Sequence, residues 1–160
     1  MYGRDPYIFA NHDSIPEPIM DVILGILKSW DMPTTDYKYI SWFHPGGILH
    51  VAPEPTQGEE ALKQLHDSFI DPQKGPLVDL QHFLDKVYLL PASEDGKTEA
   101  VFTGKLDNHL RNGETVTTDF ATRLIMSEKD GVLKTDHLRV YSDTSALYAA
   151  IGKMMAQGNE

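Results

Sequence analysis

The stretch LQHFLDKVYLLPASEDGKTEAVFTGKLDNHLRNGETVTTDFATRLIMSEKDGVLKTDHLRVYS, residues 80–142, decides the fold. Three short steps punctuate it: Asp95-Gly96, Asn112-Gly113 and Asp130-Gly131. Each is a hairpin turn signal, because Gly and Asn accept the positive φ that a tight turn demands. The turns lie about 17 and 18 residues apart, and the segments between them are rich in Val, Thr, Phe, Leu and Ile. The pattern predicts a four-strand antiparallel meander with strands about 10–13 residues long, against a usual strand of about 5–6. Strands of that length must twist and bend, and Gly104, in mid-strand, is the natural bulge or bend.

Upstream the pattern changes. Pro16 and Pro18 suit a first helical turn, and Ile19, Ile23, Ile26, Leu27 and Trp30 follow at helical spacing. Pro33 ends that helix. Residues 34–43 fit a second, shorter helix, although Tyr37, Tyr39 and Ile40 also suit a strand. His44-Pro45-Gly46-Gly47 reads as a turn, and residues 48–51 as a short strand. Thr56-Gln57-Gly58-Glu59 fits a capping box before a helix carrying Ala61, Leu62, Leu65 and Phe69. Residues 145–155 read as a terminal helix.

Helices followed by a meander is the α+β arrangement. The expectation is one domain over residues 1–160: a curved antiparallel sheet, a cone-shaped α+β barrel, packed on N-terminal helices around an internal pocket. Residues 1–14 are expected as a loose N-terminal arm. In residues 80–90 both parities carry apolar side chains, with Leu84, Tyr88 and Leu90 on one and Phe83, Val87 and Leu89 on the other. A sheet apolar on both faces needs a second cover, so a homodimer through its outer face is expected.

Composition bounds the function. The chain has 160 residues, 41% apolar and 24% charged, with a formal net charge of −10. That charge argues against nucleic acid and against anionic membrane surfaces. The absence of cysteine excludes disulfides, thiolate catalysis and zinc-thiolate sites. No apolar run approaches the roughly 20 residues of a membrane span. The opening 14 residues lack an apolar signal core, so a cytoplasmic protein is the default expectation.

Seven histidines are present, none in an HExxH pattern or a tight cluster with carboxylates, so neither a metal nor another cofactor is expected. No nucleophile motif and no glycine-rich phosphate loop appears. One pair stands out. His82 and Asp107 fall on adjacent strands of one hairpin, and a turn between Glu94 and Lys97 pairs position 82 with about 107–109. Cross-strand neighbours lie about 4.5–5.5 Å apart at Cβ. A carboxylate there would raise the basicity of the imidazole and fix its tautomer, making a general acid or base near neutral pH. The plain alternative is a solvated pair near a sheet edge.

Two short matches connect the chain to a known family. Ser29-Trp30-Asp31 ends the first helix, and Gln81-His82-Phe83 opens the first meander strand. With the order of elements over residues 19–155, they resemble the nuclear-transport-factor-2-like superfamily, including the SnoaL-like cyclases and scytalone dehydratase. In the dehydratase a Ser-Tyr-Asp step presents its Tyr and Asp to the pocket, and the His of a Gln-His-Phe is catalytic. The resemblance thus implies catalytic roles for His82, Asp107 and Asp31. It replaces the family's second catalytic His by Asp107, its pocket Tyr by Trp30 and its pocket Asn by a residue near Thr122. These departures exclude scytalone itself as the expected substrate. Epoxide hydrolases of the superfamily carry an Arg where Lys105 stands, and Lys lacks that bidentate grip.

The implied function is a cofactor-independent isomerase, cyclase or dehydratase. It would act on a hydrophobic, oxygenated intermediate of secondary metabolism, a polyketide or terpenoid. Trp30, His50, Phe83, Thr122, Tyr141 and Asp143 are the candidate substrate-binding residues. Trp30 also reads as plain core and His50 as a packed side chain. Asp31 also reads as a loop residue before Pro33, and Asp143 as a helix cap. The competing reading of the whole chain is a non-catalytic module that binds a small ligand or dimerises.

Overall fold

The computed structural model describes residues 5–158. Their elements are α1 (Glu17–Trp30), β1 (Phe43–His50), β2 (Thr56–Gln57), α2 (Glu59–Phe69), β3 (Leu77–Leu89), β4 (Thr98–Leu110), β5 (Thr115–Lys129), β6 (Val132–Ser142) and α3 (Ser145–Gln157). The strands form one six-stranded sheet in the order β2-β1-β6-β5-β4-β3. The fold is α+β, with a curved, open sheet. It is mixed rather than purely antiparallel, because β1 runs parallel to β6.

The meander is antiparallel throughout, and its strands reach 13, 13, 15 and 11 residues. Its turns carry Gly96, Gly113 and Gly131 at positive φ, as the turn chemistry requires. Gly104 pairs with Leu84, where the register between β3 and β4 shifts. A Cβ there would stand 2.2 Å from the Phe83 carbonyl oxygen and 2.9 Å from the Phe120 ring. Only a residue without a side chain lets strand and ring approach so closely.

Along α1 the residues Ile19, Val22, Ile23, Ile26 and Leu27 are buried against the inner face of the sheet. Gly25 on the same helix leaves room for the Trp42 ring, which a Cβ would meet at 2.1 Å. Phe102, Phe120, Leu124, Met126 and Leu138 supply the sheet's side of that core. A smaller cluster of Ile70, Leu77, Leu80, Leu110 and Leu147 lies under α3.

Four local expectations are corrected. Residues 38–42 form a 3-10 turn rather than a second α-helix. The His44-Pro45-Gly46-Gly47 step lies within β1, where the ladder to β6 breaks register between Phe43 and Ile48. Thr56 is not a cap: it pairs with Leu49 in β2, and Gly58 precedes α2 without a side-chain hydrogen bond.

The fourth concerns the arm. Residues 1–4 of it lie outside the described residues, but the rest is docked rather than loose. Phe9 is buried in the core. The Leu84 N–H donates to the Pro6 carbonyl, the Ala10 N–H donates to the Asp85 carbonyl, and the Asn11 side chain bonds both the N–H and the carbonyl of Val87. β3 is the last strand of the sheet, and these bonds occupy its free edge.

Candidate active site

α1 ends at Asp31, whose main-chain N–H closes the helix on the Leu27 carbonyl. That termination carries the Asp31 carboxylate to the open edge of β3. Oδ1 lies 2.5 Å from Nδ1 of His82, and Oδ2 accepts the main-chain N–H of His82 at 3.0 Å. Asp31 therefore grips His82 twice, by ring and by backbone. Two further donors reach Oδ2: the Tyr7 hydroxyl at 2.8 Å and Gln81 Nε2 at 3.3 Å. Gln81 Nε2 also reaches the Tyr7 oxygen at 3.2 Å. Burial, and then the charge of Asp31, push the Tyr7 phenol well above its ordinary range. It remains a donor across the working pH range.

A carboxylate only accepts, so Nδ1 of His82 carries the proton and, in the neutral ring, Nε2 carries the lone pair. Nε2 has no hydrogen-bond partner among the described residues. The ring stands edge-on to Phe120, 5.1 Å between centroids, and borders a cavity.

The cavity holds about 120 Å³ and lies between the inner face of the sheet, Trp30 and α3. Leu80, Leu106, Phe120, Val140 and Leu147 give it apolar walls, and Asn108 and Thr118 bring polar groups. Trp30 is fixed by His66, which is fully buried and donates from Nε2 to the Trp30 carbonyl at 2.9 Å. The two rings meet edge to face.

The pairing of His82 with Asp107 is corrected. Two residues, Asp85 and Lys86, stand opposite the single Thr103, and this bulge shifts the register of the β3–β4 hairpin. His82 then pairs with Leu106, and Asp107 with Gln81. Side chains alternate along a strand, so Asp107 belongs to the other face from His82. Its Oδ1 accepts the Thr117 hydroxyl at 2.6 Å.

The remaining candidates separate. Trp30 lines the cavity. Thr122 is buried on the inner face between Phe102 and Val140, outside the lining. Phe83 pairs with Lys105 and has the parity of Gln81, so it belongs to the outer face. His50 stacks on His137 at 6.3 Å between centroids and bonds the Pro53 carbonyl, away from the cavity. Tyr141 is exposed beneath the Arg139 guanidinium. Asp143 accepts the N–H and the hydroxyl of Ser145 at the start of α3, which holds its carboxyl below the usual range.

The sequence reading missed Tyr7, Asn108 and Thr118. The bulge is the signal that would have found the last two, since counting it puts 106 and 108 on the His82 face. Among the described residues no three His, Asp or Glu side chains gather as a metal site needs. No helix there is long and apolar enough to cross a membrane.

No protein-family model and no curated protein matches the sequence. Solved structures do. A hexachlorocyclohexane dehydrochlorinase, LinA-type3 from Novosphingobium barchaimii, superposes with a TM-score of 0.68 at 17% identity, over 79% of this chain and 84% of the other. ActVI-ORFA from Streptomyces coelicolor gives 0.64 at 14%, over 79% and 95%. Aln2 from a further Streptomyces species gives 0.62 at 13%, over 82% and 93%. With that agreement across the helices and the curved sheet, the chain has the SnoaL-like, nuclear-transport-factor-2-like fold.

Proposed function

We propose that the chain is a cofactor-independent lyase or isomerase in which His82 takes a proton from a small hydrophobic, oxygenated molecule. The observation that carries the reading is the 2.5 Å contact of His82 Nδ1 with the buried Asp31 carboxylate at the wall of an apolar cavity. Asp31 fixes the tautomer that leaves Nε2 basic. It then stabilises the imidazolium formed when Nε2 accepts the proton. The electron pair left on the substrate expels a leaving group on the neighbouring atom or shifts a double bond. The imidazolium returns the proton to the departing group or to a new carbon. A dehydrochlorinase among the similar structures is consistent with the elimination branch.

The cavity volume favours the small end of the polyketide- or terpenoid-like class, since drug-sized ligand pockets run from about 300 Å³. That same volume is what favours the second reading, a non-catalytic ligand-binding or dimerisation module. A homodimer through the outer face belongs to either reading, supported by Phe83, Val101, Ile125 and the exposed Tyr88 and Tyr141 on that face. Sedimentation equilibrium tests it.

A substrate-independent probe tests the chemistry. In 1,2-benzisoxazole a base removes the C3 proton while the N–O bond breaks to give 2-cyanophenol. The wild-type chain is expected to open the ring faster than free imidazole at equal concentration, and His82→Ala to lose that excess. Equal rates for wild type and His82→Ala would favour the binding module.

A further inference from the structure

The side-chain amide of Asn108 has a fixed direction. Its Nδ2 donates to the carbonyls of Val116 at 2.9 Å and Leu106 at 3.2 Å, and lies 3.4 Å from Thr118 Oγ1. Two carbonyls can only accept, so the nitrogen must face them and the amide cannot be turned over. Asn108 is 1% exposed and borders the cavity, yet its Oδ1 accepts no hydrogen bond from the described residues. Thr118, also buried and on the same wall, gives its hydroxyl proton to no acceptor there.

Asn108 Oδ1 is not among the fully buried polar atoms left without a partner, so it keeps access to the cavity, and a ligand that donates to it there gains a hydrogen bond that the protein leaves open. Around these two groups the wall is apolar: Leu80, Leu106, Phe120, Val140 and Leu147. We infer that Asn108 and Thr118 form a hydroxyl-reading subsite. The substrate is then a small ring compound whose hydroxyl donates to Asn108 Oδ1 and accepts from Thr118.

The register gives this subsite a purpose. Leu80 pairs with Asn108 and His82 with Leu106, so His82 and Asn108 are diagonal neighbours on one face. Such neighbours are about 7–8 Å apart at most. A single six-membered ring spans that gap, so a hydroxyl held at Asn108 sets a ring C–H before His82 Nε2. A cavity of about 120 Å³ also suits one ring, since a dry cavity of about 150 Å³ accepts benzene. A halocarbon would fill the same volume and leave Asn108 unsatisfied. The subsite deepens the proposed reaction and rests on it for the role of His82, but not for binding.

Affinities of phenol, fluorobenzene and toluene, read from amide shifts in NMR titrations, test it. Phenol is expected to bind wild type and His82→Ala at least about tenfold more tightly than the other two. Asn108→Leu is expected to bring all three to parity, and Thr118→Val to narrow the gap. The inference is overturned if wild type shows no preference for phenol. It is equally overturned if the preference survives Asn108→Leu, or is lost in His82→Ala. Should Asn108→Leu fail to fold, the wild-type series and the isosteric Thr118→Val decide. Opening of 1,2-benzisoxazole through His82 without a phenol preference would sink the subsite and leave the reaction standing. A phenol preference without that chemistry would do the reverse.

Discussion

Tyr7, in the segment before α1, donates its hydroxyl to Oδ2 of Asp31 at 2.8 Å, while the other oxygen of that carboxylate holds His82. Tyr7 does not border the cavity. In the proposed reaction it would act through the carboxylate, as a positioning residue. Tyr7→Phe is expected to lower kcat for benzisoxazole opening by about three- to tenfold with KM within twofold. It should also cost about 1.5–3 kcal/mol of stability, the usual worth of a hydrogen bond to a charged group. Steady-state kinetics and urea unfolding check both; a change in KM alone would contradict the assignment.

Asp31 and Asp107 are both buried carboxylates, yet only one touches His82. Asp31→Asn is expected to lower the rate by about 100-fold or more, because the amide no longer enforces the tautomer that leaves Nε2 of His82 free to take the proton, nor stabilises the imidazolium. Asp107→Asn keeps a partner for Thr117 and is expected to stay within about threefold of wild type. The two rates, measured side by side, distinguish the observed dyad from the one that strand counting suggests.

Gly104→Ala is expected to destabilise the fold by about 3 kcal/mol, at the upper end of overpacking costs. The added methyl would meet a main-chain oxygen, which cannot swing aside, as well as the Phe120 ring. Urea denaturation reads the loss. Because Phe120 also borders the cavity and packs on His82, the variant should bind phenol more weakly even where it is folded.

His137 lies on the outer face, where Nε2 is buried without a hydrogen bond. Burial first, then the charges of His50, Arg123 and Arg139, hold its pKa below the ordinary 6.5. The unfolded chain therefore binds a proton at a pH where the folded chain does not. Stability from this position is intact above pH 6.5 and is lost as the pH falls below it, until folded His137 itself protonates. His137→Gln should flatten that part of the stability profile, measured by urea unfolding from neutral to mildly acid pH.

The meander was legible because its information is local. Each turn is written in two adjacent residues, and strand length is the distance between turns. α1 was legible by its period. His82 and Asp31 were both visible as single residues, through the Gln81-His82-Phe83 and Ser29-Trp30-Asp31 steps. Their partnership was not, because one extra residue at Asp85-Lys86 changes which side chains share a face. A bulge has no sequence mark as strong as an Asn-Gly turn. Tyr7 was illegible for another reason: a polar segment without periodicity reads as loose, and only the tertiary structure shows what it binds. Asn108 carried no signal at all until the face it occupies was known.

Along the free side of β3, the N–H groups of His82, Leu84 and Val87 are taken by Asp31, Pro6 and Asn11. An uncovered edge of 13 residues would template any extended chain that met it. The arm is thus a guard against strand-to-strand aggregation, and the same arm delivers Tyr7 to the Asp31 carboxylate. Lifting it, by proteolysis or mild denaturant, bares the edge and unseats the acid in a single event. If His82 and Asp31 carry the proposed reaction, solubility and turnover are thereby fastened to one short segment, and the protein should lose them together.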